Sequence, residues 1–217
     1  MAAPRGFTLI ELLIVIAIIL ILIAIALPNF LEAQIRAKVA RVNADLRTIA
    51  TAMESYLLDW KIYPPDSEDE FDEQAHGLAQ LTTPLKYLAA LPFDVFVGSR
   101  APVDGTPVYF EMASTGITPV FMALGRRPFK RINAFALYSH GPDIIDNFEG
   151  ESDWPWNGPA HPCPNPGLKP EMGTHTYSPT NGTTSSGDIV KLGGQYKAGH
   201  WCLDWIEIRG EGFEHAE

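Results

Sequence analysis

The chain has 217 residues, 46% of them hydrophobic and 19% charged, which is enough material for one moderate domain. Its formal net charge of −10 argues against nucleic acid and against an anionic membrane surface as partners of the globular part, because both would repel it. Two cysteines are too few for a disulfide framework, although they allow one bridge outside the reducing cytoplasm.

An apolar block occupies residues 7–27, and its polar members are Thr8 and Glu11. As a helix rising about 1.5 Å per residue, its roughly twenty residues reach about 30 Å, the thickness of a bilayer's hydrocarbon core. A short hydrophilic leader, residues 1–6, precedes the block and ends at Gly6. An ordinary secretory signal has its small-residue cleavage site after the apolar core, whereas here the small residue comes first. The block therefore predicts a membrane-spanning helix over residues 7–27.

Glu11 lies one helical turn into this block, where a carboxylate is costly unless something compensates its charge. No Lys or Arg occurs between Glu11 and Pro28, so a compensating charge has to come from the chain terminus or from another molecule. The alternative is that Glu11 reaches the headgroup region, as polar side chains near a membrane interface often do. Cleavage after Gly6 would give Phe7 a positive amine, and the leader therefore favours pairing with a neighbouring subunit's amine.

The segment RGFTLIELLIV, residues 5–15, closely resembles the class III signal of type IV pilins and type II secretion pseudopilins. This resemblance implies that a prepilin peptidase cuts between Gly6 and Phe7 and methylates the new N-terminal Phe7. It also implies that Glu11 meets the methylated amine of an adjacent subunit during assembly. Pro28 falls where the helix of this family commonly kinks or melts.

After Pro28, apolar residues recur at spacings of three and four, which predicts an amphipathic helix over residues 28–62. The stripe consists of Leu31, Ile35, Val39, Val42, Leu46, Ile49, Met53, Tyr56 and Trp60. Basic residues lie between them, and under the positive-inside rule they would draw this end of the helix toward the cytoplasm. The resemblance to exported pilins overrides that rule. Pro64 and Pro65 should end the helix, because proline lacks an amide donor.

Residues 63–217 are predicted to form an exported globular domain. Short stretches rich in β-branched or aromatic residues predict strands at 108–112 and 134–138, with weaker candidates at 189–190 and 205–208. The implied fold is α+β and type IV pilin-like: a long N-terminal helix packed on a small antiparallel sheet. A long irregular insertion is expected over residues 147–187.

Four residues with oxygen-bearing side chains follow the second predicted strand and suit calcium, namely Asp143, Asp146, Asn147 and Glu149. Major pseudopilins bind calcium in a loop at roughly this place, so the resemblance supports a calcium site. The spacing is not that of an EF-hand, and the Gly-Pro-Asp that ends at Asp143 is equally a plain turn. Both interpretations stay open, and no other cofactor is expected.

Each cysteine comes two residues after a histidine, at Cys163 and at Cys202. Two Cys and two His could form a tetrahedral zinc site, but ligand pairs separated by one residue are uncommon. In an exported domain, a Cys163 to Cys202 disulfide is the simpler prediction, worth about 4 kcal/mol by loop entropy. Free thiols are the remaining alternative.

The chain has no catalytic or cofactor motif, so we predict that it is not an enzyme. The first functional hypothesis is a filament subunit, either of a type II secretion pseudopilus or of a surface type IV pilus. The second is a membrane-tethered binding module such as a minor pilin, in which the segment around Trp154 and Trp156 contacts a ligand.

The expected partners of a filament subunit are further copies of itself in a helical filament, a prepilin peptidase, an inner-membrane assembly platform and minor pseudopilins. Nucleic acid is not expected as a partner. The expected location is the bacterial inner membrane, crossed once, with the C-terminal domain in the periplasm and with filaments forming after assembly.

Overall fold

The computed structural model describes residues 6–65, 77–97, 109–116, 133–145, 147–148, 154, 175–180 and 185–210, without the side chains of His200 and Arg209. The chain divides into two compact units, Met1–Ala37 and Lys38–Glu217. One long helix, α1, covers Leu9–Trp60 and contributes residues to both units.

In the first unit, α1 presents apolar side chains on every side. From Leu9 to Leu31 its large apolar residues are between 45% and 76% exposed. By length and composition the helix can cross a membrane. Pro28, where the resemblance places a kink or a melted segment, lies inside α1, which is continuous through that residue. A single proline removes one hydrogen bond of the ladder, and the bonds on either side maintain the helix.

In the second unit, one face of α1 is buried, which confirms the amphipathic prediction for this part of the helix. The buried members of the predicted stripe are Val42, Leu46, Ile49, Met53 and Tyr56. The helix ends at Trp60, two residues before the predicted boundary. Lys61 turns into the left-handed region with a φ of 64°, and its N–H donates to the Leu57 carbonyl at 2.8 Å. This bond satisfies one of the carbonyls left without a partner at the helix end.

Three antiparallel strands form the main sheet in the order β1-β2-β3. They are β1 at Glu111–Ser114, β2 at Ala134–Ser139 and β3 at Ile189–Gly194. Strand β2 agrees with its predicted position and is buried along its whole length. Strand β1 begins later than predicted, and β3 is longer because its pairing continues to Gly194 opposite Ala134. A long helix with small antiparallel sheets confirms the α+β pilin-like fold.

A separate two-stranded sheet consists of β4 at His200–Leu203 and β5 at Ile206–Arg209. The prediction missed β4 and began β5 one residue early, at Trp205. Asp204 and Trp205 form the connecting turn, with φ angles of 49° and 65°. Such turns are usually marked by Asn-Gly or Asp-Gly, and Asp-Trp carries no such signal.

Aromatic side chains fill the core beside the main sheet. Tyr138 stacks on Phe148 with ring centroids 4.5 Å apart, and Trp154 meets Trp201 edge-on at 5.5 Å. All four are at most 2% exposed. The insertion predicted to be irregular therefore contributes Phe148 and Trp154 to the core. Burial also removes Trp154 as a ligand contact, while Trp156 lies outside the described residues.

Candidate assembly site

The N-terminus of α1 is closed by a reciprocal set of hydrogen bonds between Thr8 and Glu11. The Thr8 N–H donates to Glu11 Oε2 at 2.9 Å, and the Thr8 hydroxyl donates to the same oxygen at 2.7 Å. In return, the Glu11 N–H donates to Thr8 Oγ1 at 3.3 Å. This is a capping box, in which Thr8 is the N-cap and Glu11 is the third helical residue.

The capping box gives Glu11 a local hydrogen-bond donor, while the compensating charge from the chain terminus or another molecule stays a prediction. Thr8 satisfies the carboxylate by hydrogen bonding, and the positive end of the helix dipole also favours a negative group at this position. Thr8 carries no positive charge, however. The carboxylate of Glu11 is therefore oriented and hydrogen-bonded at the start of the helix, but Thr8 does not neutralise it.

The predicted cleavage site lies just outside the helix. Gly6 and Phe7 precede the first helical residue, Leu9, and the Phe7 side chain is 72% exposed. Among the described residues, a Cβ added to Gly6 would meet no atom within 4 Å, so this part of the fold imposes no need for glycine there. Recognition by a processing enzyme is one reason for a glycine at a position that the fold leaves open.

The site does not include every residue that the sequence assigned to assembly. Pro28 lies 17 residues beyond Glu11 in the same helix, a distance of about 25 Å along its axis. The structure thus brings Phe7, Thr8 and Glu11 together at one end of α1 and leaves Pro28 far from them.

Comparisons with known proteins agree with this geometry. The family model described as "Prokaryotic N-terminal methylation motif" matches residues 1–27. The type IV major pilin protein PilA of Myxococcus xanthus is 31% identical over 144 residues, which is 57% of this chain and 66% of that protein. The type IV major alpha-pilin of Moraxella bovis is 40% identical over 86 residues, covering 40% of this chain and 54% of the relative.

A fimbrial protein of Pseudomonas aeruginosa is 48% identical over 61 residues, or 28% of this chain and 40% of the relative. The chain therefore spans less than two thirds of the length of these relatives. No solved structure matches it. The methylation motif and these relatives support a type IV pilin-like protein with a class III signal.

In this pilin-like protein, sequence reasoning missed Thr8 as a member of the site. A signal was present, because Thr8 and Glu11 have the Thr-x-x-Glu spacing of a capping box directly before an apolar run. The membrane cost of the carboxylate predicts a charged partner, whereas Thr8 is an uncharged partner three residues away.

The predicted calcium ligands of the pilin-like protein lie only partly within the described residues. Asp143 accepts backbone N–H groups from Ile145 at 3.4 Å and from Gly187 at 3.2 Å. Both of its carboxylate oxygens therefore hold the loop together. Asp146 and Glu149 lie outside the described residues.

Asn147 is also engaged in local contacts. Its N–H donates to Asp188 Oδ2 at 3.0 Å, and its side-chain amide donates to the Ile145 carbonyl at 2.9 Å. Within the part of the chain that the structure describes, no three His, Cys, Asp or Glu residues are grouped to hold a metal ion. The calcium site stays a prediction.

Calcium binding is open to a direct measurement. If the loop binds calcium with a Kd of about 10 μM, 1 mM calcium should raise the Tm of the full chain by about 5 °C over an EGTA-treated sample. Magnesium at the same concentration is the control, because it requires tighter octahedral geometry. An unchanged Tm on adding calcium would contradict the prediction.

Only one of the two cysteines predicted to form a disulfide lies within the described residues. Cys202 in β4 is disulfide-bonded, and the chain's other cysteine, Cys163, lies outside the described residues. The pairing of the two stays a prediction. A disulfide-bonded Cys202 is not available as a thiolate ligand, which is incompatible with the zinc alternative.

Proposed function

We propose that this protein is the structural subunit of a pilus-like filament and is assembled through α1 after cleavage between Gly6 and Phe7. The observation that carries this proposal is the N-terminal half of α1, whose large apolar side chains are 45% to 76% exposed in the single chain. So much apolar surface has to be covered by lipid or by protein. A bilayer can cover it before assembly, and neighbouring helices can cover it in a filament.

The capping box gives a physical account of how Glu11 serves in both environments. In the membrane, the hydrogen bonds from Thr8 reduce the cost of the buried carboxylate. During assembly, the amine of a neighbour's Phe7, made by cleavage, supplies the missing positive charge. The backbone N–H and the hydroxyl of Thr8 both donate to Oε2, so Oε1 can accept the amine while the helix cap stays in place.

We further propose the type II secretion pseudopilus as the filament, with a surface type IV pilus as the alternative. The class III signal suits both. The relatives named above are major pilins and a fimbrial protein, and this supports the surface pilus equally well. In either case the proposed partners are other copies of the chain, a prepilin peptidase, an assembly platform in the inner membrane and minor subunits.

The proposed topology is a single pass through the inner membrane, with the C-terminal domain in the periplasm until the subunit joins a filament. The proposed role is mechanical rather than enzymatic. The competing role, a minor pilin that binds a ligand through its Trp-rich segment, loses support because Trp154 lies in the aromatic core at 2% exposure.

Cross-linking in cells distinguishes a major subunit from a tip protein. Two cysteines introduced together, at Ile16 and at Ile23, let each subunit form disulfides with two neighbours, and they should give ladders of many covalent multimers if α1 packs against copies of itself. Cells lacking the prepilin peptidase are the control and should give no ladder. At most dimers would indicate a tip protein, and absence of a processed chain that begins at Phe7 in cells with the peptidase would refute both roles.

A further inference from the structure

An exposed aromatic side chain lies at the C-terminal end of α1, and the proposed assembly through Phe7 and Glu11 gives it no role. Asp59 and Trp60 follow Tyr56 by three and four residues, so all three lie on one face of the helix. Trp60 is 48% exposed, whereas Tyr56 is 6% exposed. Their rings stack with centroids 5.8 Å apart and an angle of 21° between the planes. Tyr56 therefore covers one face of the Trp60 indole and leaves the other face to solvent.

The orientation of the Trp60 ring is fixed by a tyrosine from outside the helix. The Trp60 Nε1–H donates to the Tyr87 hydroxyl at 3.2 Å, and this hydroxyl donates to Asp59 Oδ2 at 2.7 Å. The Tyr87 N–H in turn donates at 2.9 Å to the carbonyl of Leu81, which is fully buried. Because the Trp60 ring is held in place before a ligand arrives, binding to it costs little side-chain entropy.

The use of the indole N–H inside the protein decides which ligand the exposed surface suits. Since Nε1–H donates to Tyr87, the open face of Trp60 is an apolar plane with a negative π cloud. Beside it is the exposed carboxylate of Asp59, which can accept several hydrogen bonds. A matching ligand has a flat face of C–H groups with partial positive charge, and it has hydroxyl donors at its edge. A pyranose sugar has both features.

Other classes of ligand match this surface less well. A nucleic acid base could stack on Trp60, but the phosphates would be repelled by Asp59 and by the net charge of −10. A quaternary ammonium group is bound by aromatic rings that surround it, whereas Tyr56 lies beneath the Trp60 ring. A protein partner needs a wide surface. Leu58, which is 70% exposed, does not widen this one, because it lies about 200° around the helix from Trp60.

We propose that Trp60 and Asp59 form a binding site for a neutral carbohydrate. A pyranose ring stacks on the open face of Trp60 and donates a hydroxyl to the Asp59 carboxylate. Tyr87 is a positioning residue, because it acts through its hydrogen bonds to the other two. One stacked ring is a small contact, so a single site should have a Kd of about 1 mM. If the chain polymerises as proposed above, repeated sites along a filament would bind a polysaccharide with higher avidity.

Titration of the full chain with cellohexaose tests the site. The sugar is a neutral oligomer of β-linked glucose, and both faces of its rings carry C–H groups. A polyoxyethylene detergent keeps the chain in micelles without offering a sugar headgroup. We expect a Kd of about 1 mM by NMR titration, and Trp60→Ala should raise it at least tenfold. Leu58→Ala removes an exposed apolar side chain from another face of the same helix and should leave the Kd unchanged.

Two further comparisons separate ring stacking from charge. Trp60→Phe keeps a flat ring, so it should raise the Kd less than Trp60→Ala does. An anionic oligomer of galacturonic acid should bind about fivefold more weakly than cellohexaose, because its carboxylates are repelled by Asp59. Asp59→Asn should remove most of that difference. Equal affinity of the unmodified chain for the two oligomers would overturn the assignment to a neutral sugar.

If Trp60→Ala does not fold, NMR of the unmodified chain decides. Cellohexaose should shift the indole N–H signal of Trp60, identified by its loss in Trp60→Phe, more than that of the buried Trp201. The absence of a saturable shift up to about 10 mM sugar would overturn the proposal, as would equal Kd values for Trp60→Ala and the unmodified chain.

The titration is made on single subunits in micelles, so its outcome does not depend on filament formation. Loss of self-association in Trp60→Ala, with no sugar binding by the unmodified chain, would show that a second copy covers the ring. That result would also overturn the proposal.

Discussion

Replacing Glu11 by alanine should reduce filament formation about 100-fold or more, while cleavage between Gly6 and Phe7 continues. The reason is that assembly would bury the neighbour's Phe7 amine beside a helix that no longer carries its counter-charge, and an unpaired buried charge is strongly unfavourable. Sheared filament yield measures assembly, and mass spectrometry of the chain's N-terminus measures cleavage. Processing should persist because Glu11 lies inside the helix, beyond the exposed bond between Gly6 and Phe7.

Two further variants separate charge pairing from helix capping. Thr8→Ala removes the N-cap and leaves the carboxylate, so it should cost about 1 kcal/mol of helix stability and reduce assembly less than tenfold. Glu32→Ala is the matched control, because Glu32 is a carboxylate of the same helix that pairs with Arg36 of its own chain. Normal filaments from Glu11→Ala, or a loss of processing in that variant, would contradict the pairing mechanism.

Replacing Trp201 by alanine should destabilise the globular unit by about 3–5 kcal/mol and lower its Tm by about 10 °C. The indole of Trp201 is 1% exposed and packs against Phe148 and Trp154, with centroid distances of 6.4 Å and 5.5 Å. Its Nε1–H donates to the Tyr196 carbonyl at 3.0 Å. The substitution therefore leaves a large cavity and one carbonyl without its donor. Circular dichroism of the full chain during heating measures the change.

Trp60→Ala is the control for this substitution. Trp60 is 48% exposed at the end of α1, where it stacks on Tyr56 and donates to the Tyr87 hydroxyl at 3.2 Å. Because half of its surface already contacts solvent, its removal should lower the Tm by less than half as much. If the two substitutions lower the Tm equally, the aromatic core contributes less to the stability of the globular unit than its burial indicates.

The sequence predicted those features that depend on neighbours along the chain. The membrane-spanning block, the amphipathic stripe and strand β2 are patterns of apolar residues within short windows, and a helix or strand converts such spacing directly into a face. The end of α1 was predicted to within two residues, since Pro64 and Pro65 prevent its continuation. Local spacing also contained the signal for the capping box of Thr8 and Glu11, which was not among the predictions.

The features that the sequence did not predict depend on residues far apart in the chain. Glu111 and His140 are 29 positions apart and meet only because β1 pairs with β2. From the sequence, Trp154 could either contact a ligand or pack against its own domain, and only its contacts with Phe148 and Trp201 place it in the core. The spacing of residues within a short segment carries no information about contacts between residues so far apart.

By itself, the sequence determined that the chain contains a helix able to span a membrane, because length and apolarity are properties of one continuous segment. It also marked Glu11 as the costly residue in that segment. The class III signal came from the resemblance of residues 5–15 to a known family. Only the tertiary structure decided which residues form the aromatic core and which carboxylates are buried close to one another. Those outcomes depend on strand pairing and on the exclusion of water, which arise when distant parts of the chain pack together.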